Sequence, residues 1–81
     1  MTEAEARAAL ERSLEDVAPE VDAGALDPDT ALHDQVDLDS MDFLSFVEGV
    51  NDLTGIDIPE RDYPLLATLA SGAAYLAGRG A

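Results

Sequence analysis

The chain is predicted to fold as an all-α protein, a small bundle of three longer helices plus one short helix, with a long loop between the first and second helices. Three observations predict it. Apolar residues recur at spacings of three and four in three separate segments, the mark of helices with one buried face. A capping residue precedes each segment, at Thr2, Asp39 and Thr68. Breakers close them, at Pro19 after the first and Gly55 after the second. The 81 residues make one domain, 1–81, near the size at which a single core supplies only a few kcal/mol of net stability. Only 5% of the chain is aromatic, so Leu, Val, Ile and Ala must build most of the core.

The first helix is expected at about 3–18. Thr2 and Glu5 fit a capping box, and Ala6, Leu10, Leu14 (or Ser13) and Val17 form the apolar stripe. Glu3 and Arg7 have the spacing of an i, i+4 ion pair. Residues 19–38 read as a long connection. Connections above about 12–15 residues are uncommon in compact domains unless they are functional or anchored, and Val21, Leu26, Leu32 and Val36 are the expected anchors. Asp27-Pro28-Asp29-Thr30 reads as a turn, with room for one helical turn after it.

The second helix, about 40–54, carries the strongest pattern. Phe43, Phe46, Val47 and Val50, extended toward Leu53, form its apolar face. Gly49 in its middle costs about 1 kcal/mol relative to Ala, which points to a close contact with a neighbouring helix. Ile56-Asp57-Ile58-Pro59 is an extended linker. A short helix at about 60–63 should stop before Pro64, whose ring and missing N–H oppose continuation. Thr68 caps a last helix at about 69–78, with Leu69, Ala73, Leu76 and Ala77 on one face. The end, from Gly78 to Ala81, reads as a frayed tail.

Charge narrows the function. The chain has 18 Asp plus Glu against 4 Lys plus Arg, a formal net charge of −14. Nucleic-acid binding needs cations against phosphate, and an anionic membrane surface repels such a chain. Proteins with basic patches are the partners it should meet quickly through electrostatic steering. The absence of Cys excludes disulfides, thiolate metal sites and a thiol nucleophile within the polypeptide. No apolar run approaches the roughly 20 residues of a membrane helix, and the N-terminus lacks the pattern of a signal or transit peptide. The expectation is a cytoplasmic monomer.

The functional stretch is Val36-Asp37-Leu38-Asp39-Ser40-Met41-Asp42-Phe43. Asp39 is placed to cap the second helix, and Asp42 puts negative charge in its first turn, where the helix dipole favours it. Ser40 falls off the apolar face, so its hydroxyl should meet solvent at the positive end of the helix. Backbone N–H groups and the dipole favour an anion such as a phosphate ester there.

Asp39-Ser40-Met41 resembles the Asp-Ser-Leu signature of the acyl carrier protein family. The resemblance extends through Asp29-Thr30-Ala31-Leu32 and Asp34 upstream. Downstream it takes in Phe46-Val47, Thr54-Gly55-Ile56-Asp57-Ile58-Pro59 and Thr68-Leu69. It implies that Ser40 carries 4′-phosphopantetheine transferred from coenzyme A, with Asp39 as the helix cap beside the arm. The thiol of that arm would hold acyl groups as thioesters for fatty-acid, polyketide or related biosynthesis. The implied protein is a discrete carrier rather than an enzyme, with no catalytic residue of its own. Its partners would be a phosphopantetheinyl transferase and acyl-loading and acyl-processing enzymes. They would read Met41 and Leu44 as apolar contacts, with Asp42, Glu48 and Asp52 as an acidic rim beside Asp39. The chain departs from the family pattern at Asp37, where Gly is usual, at Met41 in place of Leu, and at Ser45, where many members have Glu. These departures bear on which enzymes read the stretch.

Other readings are an aminoacyl or peptidyl carrier, and a small acidic interaction module with no prosthetic group. Asp37 and Asp39 do not continue into a Ca²⁺-binding loop, because Met41 stands where a third ligand is needed, so no metal site is expected. His33, with no nucleophile or second His near it, reads as a surface residue.

Overall fold

The computed structural model describes residues 1–79. Four α-helices, α1 (Glu3–Val17), α2 (Leu32–Gln35), α3 (Ser40–Thr54) and α4 (Leu69–Arg79), are joined by irregular chain and two 3-10 helices, Ala23–Ala25 and Glu60–Leu66. No strand occurs among the described residues. The all-α bundle is therefore as predicted, with α1 packed against both α3 and α4.

Each longer helix starts where its capping residue stands. The Thr2 hydroxyl accepts the Glu5 N–H at 3.1 Å, and the Glu5 carboxylate accepts the Thr2 N–H at 2.9 Å. These bonds favour the charged carboxylate and hold the Glu5 pKa below its usual value. At α4, the Thr68 hydroxyl accepts the Ser71 N–H at 3.1 Å. At the other end of α3, Gly55 takes a left-handed φ of 72°, which any other L-residue adopts only under strain.

The core is the meeting of the three stripes. Leu10 and Leu14 of α1, Phe46 and Val50 of α3, and Leu69 and Leu76 of α4 are fully buried around one centre. Burying each such side chain contributes about 1.5–3 kcal/mol. The close contact expected at Gly49 is present. A Cβ there would overlap the Ser13 hydroxyl, which donates to the Phe46 carbonyl at 2.7 Å. Ser13 is thus buried and satisfied.

The structure corrects several expectations. α1 ends at Val17, one residue early, and α4 runs on through Gly78 to Arg79 instead of fraying there; Gly80 and Ala81 lie outside the described residues. Arg7 pairs with Glu11 at 3.0 Å, not with Glu3. Leu53 is 47% exposed rather than part of the buried face. The Asn51 side chain donates to the Ile56 carbonyl and draws the returning chain onto its own side of α3, leaving Leu53 uncovered. The short helix passes through Pro64 to Leu66. Pro64 is exposed, and the bonds flanking it survive: Asp62 N–H to the Pro59 carbonyl at 2.9 Å, and Ala67 N–H to the Pro64 carbonyl at 3.2 Å.

The long connection is more ordered than a loop. Besides its two short helices, it is fastened by Gln35, whose amide donates to the carbonyls of Asp27 at 2.8 Å and Thr30 at 3.0 Å while accepting the Asp27 N–H. It is also tied to the start of α4, through Leu32 N–H to the Ala67 carbonyl and Ala70 N–H to the Pro28 carbonyl. Leu32 and Val36 are buried as expected, with Val21 and Leu26 partly so. Ala23, buried completely, is an anchor the pattern did not reveal.

Candidate functional site

The site grows from the turn that starts α3. Leu38 N–H bonds to the Val36 carbonyl at 2.9 Å, and Val36 is buried, so the chain enters the helix from a fixed position. Asp39, with extended backbone, accepts the Asp42 N–H on its carboxylate at 2.8 Å, and the Asp42 carboxylate accepts the Asp39 N–H at 3.4 Å. This reciprocal cap uses an Asp in the third helical position, where Glu or Gln is commoner. It places Ser40 first in the helix with its side chain exposed. Among the described residues, no hydrogen bond engages the Ser40 hydroxyl.

Beside Ser40 lies a cleft of about 520 Å³. Its apolar lining is Leu32 of α2, Leu38, Phe43, and Tyr63 and Pro64 of the Glu60–Leu66 helix. The Phe43 ring meets Tyr63 edge-on at 6.5 Å and Phe46 at 5.8 Å, which links the cleft to the core. Ser40, Asp39, His33 and Glu60 are its polar lining. His33 lies on α2 rather than in a loop, its side chain 70% exposed and 3.4 Å from Asp34.

The expected recognition residues fall into two groups. Met41, next to Ser40, is 74% exposed, and Leu44, one turn on, is 42% exposed. Asp42 is half-buried and engaged in the cap. Glu48 and Asp52 lie further along α3, and the structure brings them to a second hollow with Asn51 and Asp57. Tyr63 lines both hollows. Asp57 and Tyr63 were missed by sequence reasoning, because they join the site only when the chain turns back after Gly55. The extended Ile56-Asp57-Ile58-Pro59 pattern was the available signal.

The electrostatics are one-sided. No Lys or Arg occurs between Ser13 and Glu60. Arg7 is paired within α1 and Arg79 lies at the end of α4 near Asp62, so α3 presents acid without a cation of its own. Among the described residues, no group of three or more His, Cys, Asp or Glu is placed to hold a metal ion. No helix among them is long and apolar enough to cross a membrane.

An exposed, unengaged hydroxyl at a helix start, opening onto an apolar cleft, suits a phosphodiester-linked flexible arm. The phosphate meets the positive end of the helix dipole, and the cleft receives apolar atoms. No curated protein and no solved structure matches the chain. The family model described as the phosphopantetheine attachment site matches residues 8–76, which takes in the last two thirds of α1, the Ser40 turn, both hollows and most of α4. The chain therefore belongs to the phosphopantetheine-binding family of acyl carrier proteins and is a carrier of covalently attached 4′-phosphopantetheine.

Proposed function

We propose that Ser40 is the attachment residue and that the protein is an acyl carrier serving fatty-acid, polyketide or related biosynthesis. The observation that carries this reading is the free, exposed Ser40 hydroxyl at the start of α3, beside an apolar cleft. When bound, the group supplies the terminal thiol that the Cys-free chain lacks, on which acyl groups ride as thioesters. The polypeptide does the rest. Asp39 and Asp42 fix the first turn and aim the Ser40 hydroxyl outward. Leu32, Leu38, Phe43 and Tyr63 offer an apolar surface, which favours an alkyl acyl group over a charged aminoacyl one.

Partner enzymes bind the same end of the molecule. Met41 and Leu44 are its exposed apolar contacts, and Asp42, Glu48 and Asp52 face the partners' basic patches, with Asp57 added by the fold. The carrier works on enzymes' substrates without catalysing a step, as a cytoplasmic monomer. Its complexes form fast by steering and part quickly, as a shuttle requires.

Intact mass tests the reading. Incubation with coenzyme A and a broad-specificity phosphopantetheinyl transferase should add one arm to the chain and none to Ser40→Ala. An unchanged mass for the wild-type chain, or an arm on Ser40→Ala, overturns it.

A further inference from the structure

The Glu60–Leu66 helix is the outer wall of the cleft beside Ser40, and its two ends are held in different ways. At its C-terminal end, Leu66 is fully buried, and the Ser71 hydroxyl donates to the Leu65 carbonyl at 2.6 Å. The adjoining Ala67 carbonyl accepts the Leu32 N–H at 2.8 Å. At the N-terminal end Glu60 and Arg61 are exposed, and no side chain from Glu60 to Leu65 is fully buried. Ile58, two residues before Glu60, is buried in the core and Tyr63 is partly buried against it, but the Asp57, Glu60 and Arg61 around them are exposed. Three contacts from the last turns of α4 add to this, two to Asp62 and one to the Asp57 carbonyl. The Tyr75 hydroxyl donates to the Asp62 carboxylate at 2.8 Å, and Arg79 lies 3.8 Å from the same oxygen. Arg79 Nη1 also donates to the Tyr75 hydroxyl at 3.4 Å, and its Nη2 donates to the Asp57 carbonyl at 3.0 Å. The guanidinium stands 5.7 Å from the Tyr75 ring centre.

We propose that Asp62, Tyr75 and Arg79 are positioning residues: they clasp the more exposed end of the wall helix and so set the width of the cleft beside Ser40. The clasp acts through Tyr63, the neighbour of Asp62, whose ring meets Phe43 edge-on at 6.5 Å where both line the cleft. Arg79 joins the wall to the return segment, since one guanidinium reaches both Asp62 and the Asp57 carbonyl, a bridge that its planar fork of donors allows. Burial and the bond to Asp62 raise the Tyr75 pKa above its ordinary value, so the phenol keeps the proton it donates. Released from the clasp, the stretch between the buried Ile58 and Leu66 shifts outward and the cleft widens. Cleft access is then governed from the end of α4, apart from the core contacts of α1 and α3. The functional meaning of this width rests on the reading that the arm is borne on Ser40.

The experiment uses the apo-protein, so the two readings fail separately. Amide exchange and ring-to-ring nuclear Overhauser contacts are measured by NMR for the wild type, Arg79→Ala, Arg79→Lys and Tyr75→Phe. With Arg79→Ala, exchange at the Asp62 amide should rise by roughly tenfold, the scale expected for losing a surface ion pair and a hydrogen bond. The Phe43–Tyr63 contact should weaken, while exchange at Ala67 and within α1 changes less than about twofold. Arg79→Lys, which keeps the charge but not the fork, should fall between. If Arg79→Ala fails to fold, Tyr75→Phe carries the test, since it removes only one hydroxyl. Acceleration spread evenly over the chain would show a merely structural role and overturn the proposal, as would an unchanged Phe43–Tyr63 contact. Neither result alters the arm-loading measurement on Ser40.

Discussion

Within α3, the turn from Ser40 to Leu44 and the turn from Phe46 to Val50 share one helix and differ in almost everything else. Met41 and Leu44 are 74% and 42% exposed, whereas Phe46 and Val50 are fully buried. The first turn is held by two carboxylates bonding backbone N–H groups and opens onto a cleft. The second is pressed against α1 so closely that Gly49 leaves no space for a Cβ beside Ser13. The difference shows how a small carrier separates its tasks. The close contact at Gly49 that holds the helix in the bundle lies about two and a half turns from the Ser40 hydroxyl, so the residues that pack α3 into the core are separate from the exposed Ser40 side chain.

The largest effect that can break this separation is at Ser40 itself, where Ala should abolish arm loading and leave the melting temperature unchanged. A parallel loss of stability would show that the two turns are coupled. Gly49→Ala is the converse test. Its Cβ meets Ser13, and overpacking of this kind costs about 1–3 kcal/mol, partly offset by the roughly 1 kcal/mol gain in helix propensity. The net loss should lower the melting temperature by several degrees with loading at Ser40 retained, and Ser13→Ala added to it should restore most of the loss. Additive effects in the double variant would refute direct contact between the two positions.

Asp39→Ala comes next. Losing an N-cap typically costs about 1 kcal/mol, which for a domain of this size lowers the melting temperature by about 4–8 °C. It should also slow arm loading, because the cap fixes the Ser40 turn. Asp39→Asn, which keeps the capping oxygen, should recover most of the stability. If loading by Asp39→Asn recovers as well, geometry rather than charge at Asp39 governs modification. The smallest effect is that of salt. Self-repulsion at a net charge of −14 is screened as ionic strength rises, so the melting temperature should increase by a few degrees between low salt and about 0.2 M. A melting temperature indifferent to salt would mean that the acidic stretch, despite lacking cations, does not strain the fold.

Much of this was legible beforehand for reasons that are local. The caps at Thr2, Asp39 and Thr68 act within three residues of themselves, so their neighbours in sequence are their partners in space. The apolar stripes of α1, α3 and α4 likewise follow from the helical period alone. Pro64 was misjudged because a rule for α-helix interiors was applied to a 3-10 helix whose flanking bonds survive without it. The Gln35 staple, the buried Ala23 and the Tyr75–Asp62–Arg79 clasp were not legible. Each depends on residues at least five positions apart meeting at an angle that no periodicity encodes.

By itself, the sequence determined the helices, their capped starts, the acidic surface and the exposed position of Ser40. All of these depend on backbone preferences and on charges that neighbours in the chain supply. Only the tertiary structure decided that a cleft opens beside Ser40, that Asp57 joins Glu48 and Asp52, and that the end of α4 reaches back to hold the cleft wall. Those features arise from the packing of helices distant in sequence. Which side chains then share a cavity depends on interhelix angles and on close contacts such as that of Ser13 with Gly49.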